Sequence, residues 1–150
     1  MNPQEKSIRA RELFLQGYNC SQAVFTAFAP EMGLEEKLAL RMSGALGGGM
    51  GGLREVCGAV SSMFVILGAL EGYDTPDQEA KQRLYRRIQT LGEQFRAENG
   101  TLICRELLAA HGIAPQPAPA VRDAAYYQKR PCLRYVEQCA KMIAETLARG

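Results

Sequence analysis

Apolar residues recur along this chain at intervals of three and four. Nowhere do apolar and polar positions alternate over a useful length, so the pattern predicts helices and no strand. A first helix is predicted over residues 4–17, with Ala10, Leu13, Phe14 and Tyr18 on its apolar stripe. Asn19 is placed to cap a second, "CSQAVFTAFA", and Gln22 three residues on makes a near capping box. Pro30 and Gly33 break the chain, and a third helix is predicted over 35–46 with Leu38, Met42, Ala45 and Leu46 facing inward. A fourth, over 53–70, is apolar nearly all round, the mark of a central helix wrapped by the others. Thr75 and Pro76 are expected to open the fifth, over 76–98, striped by Leu84, Ile88, Leu91 and Phe95. Lys81, Arg83, Arg86 and Arg87 fall off that stripe and read as a solvated face. Thr101 is expected to cap a short sixth helix, "LICRELLAAHG". Pro115, Pro117 and Pro119 then impose a stiff extended connector. The last helix opens at "RPC" and runs to about residue 148, with Leu133, Val136, Ala140, Ile143 and Leu147 on its stripe. The expectation is all-α: a single domain over 1–150, a bundle of six to seven helices around a central apolar one.

The 150 residues, 47% of them apolar, suffice for one core. The net charge of +2, from 18 basic and 16 acidic residues, is too balanced to argue for nucleic acid or an anionic membrane. The opening "MNPQEKSIRARELF" has no apolar core of a secretory signal. The longest apolar run, 56–70, is interrupted by Ser61 and Ser62 and falls short of the roughly 20 residues that span a membrane. A soluble, cytoplasmic protein with no membrane insertion is expected. Five cysteines change the picture. A reducing cytosol disfavours structural disulfides, which gives weight to metal or redox chemistry.

Four of the five fall at or near predicted helix starts. Cys20 follows the cap Asn19, Cys104 lies three residues after Thr101, Cys132 follows Pro131, and Cys57 sits about one turn into the fourth helix. A helix N-terminus offers unpaired N–H groups and the positive end of the dipole, which favour a thiolate. The thiolate is both the nucleophile and the metal ligand. Cys139, mid-helix and beside the core stripe, reads as core packing, the ordinary fate of a free cysteine. No two cysteines form a C-x-x-C pair, which disfavours a zinc ribbon, a thioredoxin-type site and haem attachment. Four single thiols from four helices suit an iron–sulfur cluster, which needs convergence in space rather than one local spacing. They suit two dithiol pairs equally.

Five of the six residues 47–52 are glycine. Gly47, Gly49 and Gly52 read as G-x-G-x-x-G, but a helix precedes them where a nucleotide fold needs a strand. An anion-binding nest of backbone N–H groups stays open. So many glycines suggest that the backbone passes close to something, a cluster or a facing thiol, with Gly58 and Ala59 leaving room beside Cys57. Gly48, Gly49, Gly51 and Gly58 are the candidate cofactor-facing positions. His111, the one histidine, stands at a helix end where it complements the dipole, so a His-rich metal site is excluded.

Cys20, "GGGMGG", "CGAVSS" at Cys57, "CREL" at Cys104 and "PCLRYV" at Cys132, taken in that order, resemble the redox-active family named for its C_GCAxxG_C_C pattern. The resemblance spans about residues 10–145. It implies that Cys20, Cys57, Cys104 and Cys132 are the functional four and that their role is redox. Similar domains in some multi-cofactor electron-transfer proteins imply an iron–sulfur cluster, here expected as 2Fe-2S. This chain departs from the pattern where Gly58 follows Cys57, and where the closing glycine falls on Ser62.

The leading expectation is a cytoplasmic redox protein whose four helix-start cysteines hold an iron–sulfur cluster or other metal, for electron transfer or redox sensing. It would act with a redox partner protein, as a monomer or a homo-oligomer. The alternatives are a metal-free thiol–disulfide protein and a non-catalytic helical module that binds a ligand or partner.

Overall fold

The computed structural model describes residues 1–150, and the chain is all-α. Ten helical segments follow one another: α1 (Pro3–Leu15), α2 (Cys20–Ala27), α3 (Ala29–Met32), α4 (Glu36–Gly44), α5 (Gly47–Met50), α6 (Gly58–Glu71), α7 (Gln78–Asn99), α8 (Cys104–Ala109), α9 (Ala124–Lys129) and α10 (Cys132–Arg149). Seven of them answer to the seven helices read from the sequence. The other three, α3, α5 and α9, are short. α5 is a glycine turn rather than a true helix, because Gly48 and Gly49 have left-handed backbone. There is no sheet; Val56 and Ile103 form one isolated antiparallel bridge. No helix is long and apolar enough to cross a membrane.

α6 is central, packed against α2, α10 and α7, while α1 lies along α10 and α2. Gly58 through Met63, Ile66 and Leu67 of α6 are buried, as its nearly unbroken apolar surface predicts. Around it, Phe14 from α1, Phe25 from α2 and Phe95 from α7 are all but inaccessible, as is Phe28 beyond α2. Each such ring contributes roughly 2–3 kcal/mol by leaving water.

Four local expectations are corrected. Leu38, Met42 and Ala45 do not face inward, and Leu46 is only half-buried; α4 buries the small Ala39 and Ser43 instead. Large side chains there would hold α4 off α2, to which it is tied by Gln22 Nε2 donating to the Leu40 carbonyl (3.0 Å) and Ser21 Oγ to the Ser43 carbonyl (2.7 Å). The central helix begins at Gly58, not near residue 53, because Gly51, Gly52 and Arg54 are left-handed and unwind the chain before it. α7 is capped by Asp77, whose carboxylate accepts from the Glu79 and Ala80 amides, and not by Thr75. α8 starts at Cys104 with Ile103 as its cap residue; Thr101 instead bonds to the Ile103 amide.

The candidate site: four thiols around one cavity

The capping box at the start of α2 forms as predicted. Asn19 Oδ1 accepts from the Gln22 amide (2.9 Å) and Gln22 Oε1 from the Asn19 amide (3.1 Å), which makes Cys20 the first helical residue. Asn19 Nδ2 also donates to the Gly44 carbonyl (3.1 Å), so the end of α4 is fixed against the start of α2. Cys57 is the cap residue of α6, Cys104 opens α8 and Cys132 opens α10. All four lie at helix starts, more regularly than the sequence indicated. Two backbone bonds set the Cys57 and Cys104 starts side by side: the Cys57 amide donates to the Leu102 carbonyl (2.8 Å) and the Cys104 amide to the Glu55 carbonyl (2.6 Å).

Cys20, Cys57, Cys104 and Cys132 all line one cavity of about 380 Å³. No three His, Cys, Asp or Glu side chains gather at one ion-sized centre. Cys139 is fully buried in the core and does not line it. Gly48, Gly51 and Gly58 are on the wall, but Gly49 is not. Gly49 is packed behind Cys104, where a Cβ would stand 2.8 Å from the cysteine's own Cβ and 2.6 Å from the Glu55 amide. Gly58 is needed for close approach, since a Cβ there would lie 2.8 Å from Cys20 Sγ and 2.9 Å from the Leu46 carbonyl oxygen. Within the glycine stretch, Gly49 packs on Cys104, Gly47 on Asn19 and Gly52 on Pro117, while Gly58 beyond it makes room for Cys20. Ser62, where the pattern has glycine, is buried in α6 and donates to the Ser21 carbonyl (2.9 Å), tying the central helix to α2.

The thiols differ electrostatically. Cys20 is brought down from 9.0 to about 6, because the Cys57 thiol and the amides of Gly48, Ser21 and Ala59 bond to its sulfur against the effect of burial. Cys57 is pushed up by that same bond to Cys20 and by burial. Burial raises Cys104, opposed by the guanidinium of Arg54, and raises Cys132 to about 12, with the charge of Cys20 adding to the effect. Burial also holds Cys139 well above the ordinary value. Of the four wall thiols, Cys20 alone is shifted toward the thiolate; the other three are shifted away from it.

Sequence reasoning missed the rest of the wall. Arg54, Arg122 and Arg130 line the cavity and no carboxylate does. The proline connector and α9 cover it. Arg54 Nε donates to the Gln116 carbonyl (2.8 Å). Arg122 stacks on the Phe14 ring (4.0 Å to its centre) and donates to the Phe14 carbonyl and the Tyr126 hydroxyl (3.0 Å each). α9 is too short, and too close to Pro131, for its periodicity to show. His111 is exposed beyond the end of α8, away from the cavity.

The donor set suits a thiolate-bound group: four sulfurs, no competing oxygen acid, and three guanidinium groups on the wall to balance negative charge. No curated protein and no solved structure matches the chain. The sequence model of the family described as "Putative redox-active protein (C_GCAxxG_C_C)" matches residues 18–146, which contain all four wall cysteines and the glycine turn. The chain belongs to this C_GCAxxG_C_C family of redox-active proteins.

Proposed function

We propose that this is a cytoplasmic electron-transfer or redox-sensing protein in which Cys20, Cys57, Cys104 and Cys132 hold an iron–sulfur cluster. The observation that carries the reading is that four cysteines far apart in sequence, each at a helix start, share one cavity with three arginines and no acid. Bound there, the cluster would supply one-electron chemistry to a partner protein. The chain's own residues do the rest. The amides of Gly48, Ser21 and Ala59 favour the thiolate form of Cys20. The arginines offset the negative charge of ligated sulfurs, and the connector held by Arg54 and Arg122 limits the access of water.

The test is anaerobic purification followed by a visible spectrum and assays for iron and acid-labile sulfide. Visible absorbance with stoichiometric iron and sulfide is expected. It should be lost when any of the four cysteines is replaced by serine and kept in Cys139→Ser. A protein that stays colourless and iron-free after cluster reconstitution overturns the reading.

Cys20 and Cys57 share the cavity wall and are shifted in opposite senses, Cys20 down and Cys57 up, which favours a second reading, dithiol chemistry on a disulfide substrate. The Cys20 thiolate attacks one substrate sulfur and the other leaves as a thiolate. Cys57 then gives up its proton and attacks Cys20, the second substrate thiolate leaves, and the protein is oxidised by two electrons as the disulfide is reduced. Oxidation of metal-free protein followed by peptide mapping should then find Cys20 joined to Cys57. Any other pairing, or none, excludes it.

A further inference from the structure

The turn between α4 and α6 holds six residues of left-handed backbone. Four are glycine; Met50 and Arg54 are not. Met50 is exposed, whereas Arg54 is the one charged residue among the buried ones, with 8% of its surface accessible. A left-handed conformation is unfavourable for a residue with a Cβ, and an interior guanidinium is costlier still unless it is fully bonded. Glycine at position 54 would remove both costs. The side chain therefore has to hold something that glycine leaves loose.

It is engaged at two points. Nε donates to the Gln116 carbonyl of the connector (2.8 Å), and Nη1 to Cys104 Sγ (3.6 Å). Its own backbone is fixed as well, with its amide donating to the Gly48 carbonyl (3.0 Å) and its carbonyl accepting from the Arg105 amide (3.2 Å). The neighbouring carboxylate, Glu55, is taken by Arg105, so the Cys104 sulfur is the side-chain acceptor that Arg54 has. The connector is seated tightly where this bond reaches it. Gly52 packs so closely on Pro117 that a side chain at position 52 would collide with the Pro117 carbonyl.

We propose that Arg54 is a positioning residue that joins the Cys104 sulfur to the proline connector, so that the sulfur and the cover over it are held as one unit. The inference rests on the reading that Cys104 works from this cavity. Two consequences follow. The N–H···S bond favours the more negative, reduced state of the centre that the sulfur serves, so it raises the reduction potential. The connector, in turn, is ordered only while Cys104 presents an acceptor.

The experiment uses the full chain. In reduced, metal-free protein, 15N relaxation of the Gln116 and Ala118 amides reads the cover. Wild type should give the high order parameters of rigid backbone. Arg54→Gly and Cys104→Ala should each drop them toward those of a flexible loop, below about 0.6. Cys104→Ser, which keeps an acceptor, should restore them. The double variant should be no looser than either single one. In reconstituted protein, Arg54→Gly should shift the one-electron equilibrium about tenfold toward the oxidised form, a midpoint roughly 60 mV more negative. Arg54→Lys, which keeps the charge but not the fork, should fall between. An unchanged connector in Arg54→Gly, no difference between the Ala and Ser variants, or an unchanged midpoint overturns the proposal, as does a glycine variant that fails to fold. If wild type takes up no iron, the cluster reading fails by itself and the relaxation data still decide the role of Arg54.

Discussion

Gly58 and Cys20 share a space that admits only one side chain: a Cβ on Gly58 would stand 2.8 Å from the Cys20 sulfur, with the Leu46 carbonyl oxygen closing the other side at 2.9 Å. Gly58→Ala should therefore displace the thiolate and overpack the joint between α6 and the turn. A loss of about 1–3 kcal/mol is expected in urea unfolding, together with loss of any cluster. Gly68, in the same helix, has open space where its Cβ would be. Gly68→Ala should stabilise by about 1 kcal/mol through helix propensity alone. Equal effects of the two substitutions would contradict the packing described.

The cysteines predict a stability curve of particular shape for reduced, metal-free protein. Cys20 titrates near 6 when folded and near 9.0 when unfolded. Between those values the unfolded chain holds a proton that the folded one does not, so stability rises with pH from about 6 to about 9. Cys57, Cys104, Cys132 and Cys139 are shifted the other way. Their contribution is complete below about 9 and is withdrawn as the pH rises further. The urea midpoint should climb to a maximum near pH 9 and then fall. Cys20→Ser should flatten the climb and leave the fall; a climb that survives that substitution would assign it to another group.

Arg122 holds the far end of the cover, through its stack on Phe14 and its bonds to the Phe14 carbonyl and Tyr126 hydroxyl. Arg122→Ala should cost about 2 kcal/mol and let a bulky disulfide reagent reach Cys132 faster. Lysine should recover little, because an ammonium lacks the planar face and the fork. A lysine variant with wild-type reactivity at Cys132 would show that charge alone holds the cover.

Ser62 tests one of the two places where this chain departs from its family's pattern. Ser62→Ala deletes the bond to the Ser21 carbonyl and should cost about 1 kcal/mol. Ser62→Gly should cost roughly 1 kcal/mol more than Ser62→Ala, from helix propensity. Denaturant midpoints measure both, and a glycine variant as stable as wild type would mean that the hydroxyl contributes nothing.

Much of this fold is written in local signals. Asn19 and Gln22 announce the start of α2, and Leu91 and Phe95 mark the buried face of α7, because capping and periodicity act within a few residues. The four cysteines were legible for the same reason, each lying near a helix start. Arg54 was not, since its role depends on partners 50 and 62 residues away and on a backbone conformation that arginine rarely adopts. The inward face of α4 was misread because a close helix contact selects small residues, Ala39 and Ser43, whereas a periodicity reading follows the large ones. α9 is bounded by prolines and is only six residues long, too few to establish a period.

The paired bonds between the Glu55–Cys57 and Leu102–Cys104 segments have a consequence for speed. They fix two sulfur-bearing helix starts by peptide groups alone, and a peptide–peptide bond does not depend on the oxidation state of a sulfur. A frame of that kind does not have to rearrange when a sulfur changes its oxidation state. On the proposed reading, in which the site exchanges one electron, such a frame would keep the protein's own share of the reorganisation small, so that charge would pass quickly in either direction.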